Sequence, residues 1–238
     1  MITGADALTA GSPHWKPLWE RFQGGQAGYH FLTSFMVDMP VNATREAPWE
    51  VRVASLLSIL KAEDECTARH SIRVAENAQA VGIELGLSPG EVESLRWGSL
   101  LHDIGKIAVD PQVRDKPDKL TLEEFKYIKL HAHIGACMAR PIVGDEVAEM
   151  IEHHHDHYDG NGYNQGFVGE DIPLGARVIA VADAFDAMVF DRPYHHAMSR
   201  EAAGEEIRQC TYTQFDPRVV RGFIEVIRKT SPWVAVAA

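Results

Sequence analysis

Twelve histidines stand in 238 residues, and seven of them fall between His102 and His157. Imidazole is the commonest protein ligand for borderline metals, and a carboxylate beside it suits iron, manganese, zinc or nickel. The candidates are His70, the adjacent pair His102-Asp103, His131, the run His153-His154-His155, and Asp183. Any one histidine on a helix is ordinarily a surface or satisfied core residue, so the grouping is what points to a metal. His102-Asp103-Ile104-Gly105-Lys106 puts a neutral nitrogen donor, a carboxylate able to bridge two cations and an ammonium within one turn. Two divalent metals about 3.5–4 Å apart would hold a phosphodiester and bring a bridging water toward hydroxide near neutrality.

The elements that must position these groups read as helices. From Trp49, residues Val51, Val53, Ala54, Leu56, Leu57 and Leu60 make one apolar face, and Ile72, Val74, Ala75, Ala78, Val81 and Leu85 make the next. Ser88-Pro89-Gly90-Glu91 is a capping box that predicts a helix to about Leu101, and Thr121-Leu122-Glu123-Glu124 is a second, opening the helix of His131. Residues 104–120 read as an ordered loop, and Asp159-Gly160-Asn161-Gly162 as turn chemistry. Further helices are expected from about Pro173 to Phe190, near Ser199 and from Asp216-Pro217. Without strand alternation or repeats, the fold class is all-α, a helical bundle with polar residues projecting into its middle. Residues 1–48, punctuated by Gly and Pro, read as a leader or the end of an upstream module, 49–231 as the catalytic domain and 232–238 as a tail. The helix at 49–62 could pair with its twin, which leaves a homodimer open.

The balance of 23 Lys and Arg against 34 Asp and Glu gives −11, so an extended nucleic-acid footprint is not expected and any phosphate chemistry must be local. No stretch approaches a membrane span. Cys66, Cys137 and Cys210 are too scattered for a disulfide framework; they read as buried thiols of a reducing compartment, the cytoplasm.

Taken in order, His102-Asp103-Ile104-Gly105-Lys106, His131 with Gly135, His154-His155-Asp156-His157-Tyr158-Asp159-Gly160-Asn161-Gly162-Tyr163, Val181-Ala182-Asp183 and Asp191-Arg192-Pro193-Tyr194 resemble the HD-GYP family of metal-dependent phosphohydrolases. The resemblance runs from about Cys66 to Phe223. It implies an HD-type helical bundle that hydrolyses cyclic di-GMP to the linear dinucleotide pGpG or to GMP, or, as in some members, hydrolyses 3',3'-cyclic GMP-AMP. It further implies a first metal on His70, His102, Asp103 and Asp183, with Asp103 bridging to a second on His131, His154 and His155. Iron or manganese is expected, with zinc and nickel open. By the same resemblance Lys106 serves catalysis beside Asp103, and Lys106, Tyr163, Arg192 and His195 contact substrate. A signalling or sensor partner upstream is also implied.

This chain departs from the family pattern at four places. Gly162-Tyr163-Asn164 replaces Gly-Tyr-Pro, and Asp156 follows the paired histidines where glutamate is usual. Cys66 stands where trinuclear members carry a glutamate ligand, which favours two metals over three, and His195-His196 replaces a permanent cation. His133, His153 and His157 fall outside the implied ligands and are expected in solvent or supporting those ligands. The departures keep open a catalytically weak cyclic-dinucleotide sensor or interaction module, and the His/Asp set keeps open, more remotely, a diiron oxygenase.

Overall fold

The computed structural model describes residues 49–164, 166–190 and 196–230. Their helices are α1 (Trp49–Glu63), α2 (Glu65–Glu84), α3 (Pro89–Leu101), α4 (Pro111–Arg114), α5 (Leu122–His153), α6 (Leu174–Val189), α7 (Arg200–Gln209) and α8 (Pro217–Thr230), with 3₁₀ turns at Ile104–Ala108 and Gly169–Asp171. Among the described residues the β pairing is confined to an isolated bridge between Thr211 and Phe215, so the all-α expectation holds.

Local chemistry starts these helices where the sequence says. The Ser88 hydroxyl accepts from the Glu91 backbone N–H at 3.3 Å while Glu91 Oε2 accepts from the Ser88 N–H at 2.8 Å. Thr121 and Glu124 repeat the exchange at 3.2 and 2.7 Å, and Asp216 Oδ1 accepts from the Arg218 N–H at 2.6 Å. Such caps satisfy donors that a helix start leaves unpaired. The 104–120 segment is more ordered than a loop, because Asp110 caps the short α4 by accepting from the Gln112 N–H at 2.8 Å, with Pro111 at its first position. The cysteines also differ from expectation: Cys66, in the first turn of α2, is exposed, and Cys137 and Cys210 are only partly covered.

Around α6 the main core gathers Val74, Ala78 and Val81 of α2, Leu95 of α3, and Val219, Phe223 and Ile227 of α8. The Phe185 and Phe223 rings meet edge to face at 4.9 Å. Val53, Leu56 and Leu60 bury the inner face of α1, leaving Val51 and Ala54 outside.

Two backbone features bring distant residues together. Within α5, Gly144 takes φ 85° and ψ 177°, a conformation essentially closed to residues with a Cβ. There the helix doubles back on itself, so that His133 Nδ1 reaches Glu152 Oε1 at 2.8 Å and Gly135 packs on Ile151. The second feature is contact of the 3₁₀ turn with α5: a Cβ on Gly105 would lie 2.0 Å from the His131 carbonyl oxygen. In urea denaturation, Gly144→Ala should lower the unfolding free energy by about 1–3 kcal/mol through backbone strain. Gly105→Ala should cost about as much or more through overpacking, and unchanged midpoints in both variants would contradict this account.

Candidate metal centre

The reversal in α5 sets His154 and His155, at its C-terminal end, beside His131, with ring centroids 5.4 and 5.2 Å away. His102, at the end of α3, stands 5.0 Å from His154 and 5.4 Å from His70 of α2. Ligating atoms of Asp103, His131, His154 and His155 all lie within 4.8 Å of one another, and so do those of His70, His102 and Asp103. Asp103 belongs to both groups. Its Oδ1 is 3.4 Å from His131 Nε2, and its Oδ2 is 3.4 Å from His102 Nε2 and 2.6 Å from Lys106 Nζ. Asp183, from α6, places Oδ1 2.9 Å from His70 Nε2.

One device aims three of the rings. Nδ1–H of His102 donates to the Ser99 carbonyl at 2.7 Å, that of His131 to Ile128 at 2.6 Å and that of His154 to Ile151 at 2.6 Å. Each bond runs three residues back along the helix, and for His102 and His154, which are helix C-caps, it uses carbonyls of the last turn. A carbonyl only accepts, so Nδ1 carries the proton and Nε2 presents a lone pair. His70 is held differently. Its Nδ1 donates to Asp186 Oδ2 at 2.6 Å, and Arg73 grips that carboxylate bidentately at 2.7 and 2.8 Å. Asp186 and Arg73 were not among the candidates from the sequence, although each lies three residues beyond a candidate ligand, on the same helix face.

The electrostatics follow from this arrangement. Burial pushes His131 down to about 4 and His155 down to about 3, and holds His154 well below its ordinary value. Burial also opposes protonation of His70, but hydrogen bonds to Asp183 and Asp186 prevail and push it up to about 9. Burial works against ionisation of Asp103, yet Lys106 and His102 keep it well below the usual carboxylate range.

Among the described residues, Nε2 of His102, His131 and His154 and Oδ1 of Asp103 are buried without a hydrogen bond. The 3.4 Å approach of His131 Nε2 to Asp103 Oδ1 is close but not aligned as one. With the ring proton on Nδ1, two acceptors face each other there, an arrangement that a cation between them would satisfy. The donor set therefore fits a divalent metal. All of His70, His102, Asp103, His131, His154, His155 and Asp183 converge here, and Tyr163 joins them, its ring 4.5 Å from that of His155. Arg192 and His195 lie outside the described residues. His133 is exposed and pairs with Glu152 of the returning limb of α5, His157 is partly covered, and His153 is buried, its Nδ1 donating to Asp156 Oδ2 at 2.7 Å.

The HD domain model matches residues 54–219. The chain belongs to the HD domain family. The cyclic di-GMP phosphodiesterase response regulator RpfG of Xanthomonas campestris is 39% identical over 171 residues, covering 71% of this chain and 45% of that protein. The 3'3'-cGAMP-specific phosphodiesterase 3 of Vibrio cholerae is 35% identical over 173 residues, covering 72% of this chain and 38% of its own length. The chain thus spans less than half of either relative. An HDG"Y"P protein from Bdellovibrio bacteriovorus shares the fold at a TM-score of 0.59 with 15% identity, covering 90% of this chain and 76% of that one. The resemblance to HD-GYP proteins read from the motifs is borne out.

In this HD domain the rim of the centre carries two further side chains the sequence did not single out. Lys129 Nζ sits 4.6 Å from the Tyr163 ring and 4.9 Å from that of Phe125, whose own ring lies edge-on to Tyr163 at 6.2 Å. Burial and the Asp103 and Asp183 carboxylates push the Tyr163 phenol up to about 12, so it stays protonated and can donate.

The shifted histidines set how the metal-free protein responds to pH. For His131, His154 and His155 the folded value is depressed, so their stabilisation is present above the unfolded value near 6.5 and is lost as pH falls below it, toward about 4 and 3 for His131 and His155. For His70 the folded value is raised, so its stabilisation is full below about 6.5 and is lost as pH rises through about 9. Chelator-treated protein should therefore be most stable near pH 6.5 in urea titrations. Each imidazole contributes a slope of up to about 1.4 kcal/mol per pH unit, and the acid side should be steeper because three groups act there against one. A flat profile from pH 4.5 to 8.5 would refute these assignments.

Proposed function

We propose that the chain is a metal-dependent phosphodiesterase that opens cyclic di-GMP to the linear dinucleotide pGpG, with GMP as the further product. The observation that carries this reading is the convergence of unprotonated, unpartnered imidazole nitrogens on the Asp103 carboxylate, with the Lys106 ammonium 2.6 Å away. The activity named for RpfG supports it, and the cGAMP activity named for the Vibrio relative makes 3',3'-cyclic GMP-AMP the second substrate to test.

In this reading His70, His102, Asp103 and Asp183 hold one divalent ion and His131, His154 and His155 a second, with Asp103 shared. Iron or manganese suits the set best, and zinc or nickel also accepts such donors. When bound, the pair supplies Lewis-acid stabilisation and a water of lowered pKa. The chain's own groups do the rest. Lys106 sits on the bridging carboxylate, where its ammonium can neutralise charge developing on the scissile phosphate or assist the departing oxygen. Asp186 and Arg73 fix the His70 ring. Tyr163 walls the side of His155, and Arg192 and His195 are assigned to the other phosphate. The Lys106 ammonium on the shared carboxylate favours phosphate hydrolysis over oxygen activation, which requires no such cation.

Metal analysis combined with turnover on both cyclic dinucleotides tests this. Asp103→Ala should lose both ions, because two cations about 3.5–4 Å apart repel without a shared anion. Lys106→Met should keep its metal and lose about 10²- to 10³-fold in turnover, the expected effect of removing one preorganised charge at the reacting phosphate. A metal-replete Asp103→Ala variant with near-native rate would overturn the assignment.

A further inference from the structure

Where the family signature carries proline, this chain has Asn164, and its contacts are specific. The Asn164 backbone N–H donates to Asp156 Oδ1 at 2.8 Å, and its Nδ2 donates to the Glu152 carbonyl at 3.1 Å and lies 3.4 Å from Asp156 Oδ2. Asp156 is buried, and its Oδ2 also accepts from His153 Nδ1 at 2.7 Å. One carboxylate thus ties the end of α5 to the Gly162-Tyr163-Asn164 segment. His154 and His155 immediately precede Asp156 in the chain, and Tyr163 immediately precedes Asn164. The Tyr163 N–H donates back to the His155 carbonyl at 3.2 Å, and the two rings pack at 4.5 Å.

A proline at 164 has no N–H, so it deletes the bond to Asp156 Oδ1 outright and replaces the carboxamide as well. The two departures from the family pattern thus meet in one contact, Asn164 donating to the carboxylate of the shorter Asp156. We infer that Asn164, acting through Asp156, is the positioning residue that holds Tyr163 against His155 and so fixes His155 toward the second metal position. Lost hydrogen bonds at a buried carboxylate matter more than ordinary ones, because the acceptor is left desolvated without its partner.

This inference rests on the metal-dependent reading above. Its test compares wild type, Asn164→Ala, which keeps the backbone N–H and loses the carboxamide, and Asn164→Pro, which loses both. Metal equivalents retained after dialysis against a weak chelator, kcat, KM and thermal midpoint are measured on each. The expected result is graded: a few-fold fall in kcat for Asn164→Ala and about tenfold or more for Asn164→Pro, with about one metal equivalent lost in the latter and KM changed less than kcat. If Asn164→Pro does not fold, the Asn164→Ala variant decides by the same readouts. A lowered thermal midpoint with native metal content and native kcat per folded molecule would assign Asn164 a purely structural role and overturn the inference, as would native behaviour of both variants. Wild-type protein that retains no metal and cleaves neither cyclic dinucleotide overturns the metal reading, and this inference with it. A metal-bearing, active wild type beside unaffected variants overturns this inference alone.

Discussion

The Asp103 carboxylate lies where two sets of buried imidazoles meet, and the arrangement around it is unfavourable unless a cation is shared. Its Oδ1 faces His131 at 3.4 Å across what is, by tautomer, a lone pair opposing a lone pair. Desolvated acceptors without donors cost free energy, and the cost multiplies when several share one site. Around Asp103 the ring protons rest on carbonyls or a carboxylate, which leaves Nε2 of His102, His131 and His154 without a partner beside it.

Helix ends do most of the aiming. His102 and His154 close α3 and α5, where last-turn carbonyls have no intrahelical donor and can take the imidazole N–H. The ring is then fixed by a bond the helix end requires in any case, which makes the geometry inexpensive to maintain. His131 uses the same contact in mid-helix, and the reversal at Gly144 brings its limb of α5 against the other. For these three rings direction is thus built from backbone carbonyls on rigid elements, whereas His70 is aimed by the side chains of Asp186 and Arg73.

The two halves of the centre are electrostatically unequal. His70 is backed by Asp186 and faces Asp183, whereas His131 and His154 are backed only by neutral carbonyls. A carboxylate behind a ligating imidazole raises its basicity, so the His70 side is the stronger donor and the more anionic. Lys106 adds a positive charge at the junction, and Lys129 another at the rim over Tyr163. In a chain of net charge −11, these two ammonium groups concentrate positive charge at the centre and its rim.

Much of this was legible in one dimension. Capping boxes, proline positions and apolar periods are local, so Ser88, Thr121, Ser199 and Asp216 mark helix starts correctly, and residue types and order single out the His and Asp set. Asp110-Pro111 carries the same local signal, but the charges and prolines around it mask a helix of one turn. Other features could not be read from order along the chain. That Asp186 serves His70, that Asn164 and Asp156 are partners, and that Lys129 reaches Tyr163 depend on side chains meeting across helices. The sequence determined which elements form and which groups can ligate, because caps, periodicity and ligand chemistry act over one turn of chain. Only the tertiary structure decided where each lone pair points and what supports it, because convergence of α2, α3, α5 and α6 on one carboxylate is set by how their buried faces pack and by the backbone reversal at Gly144.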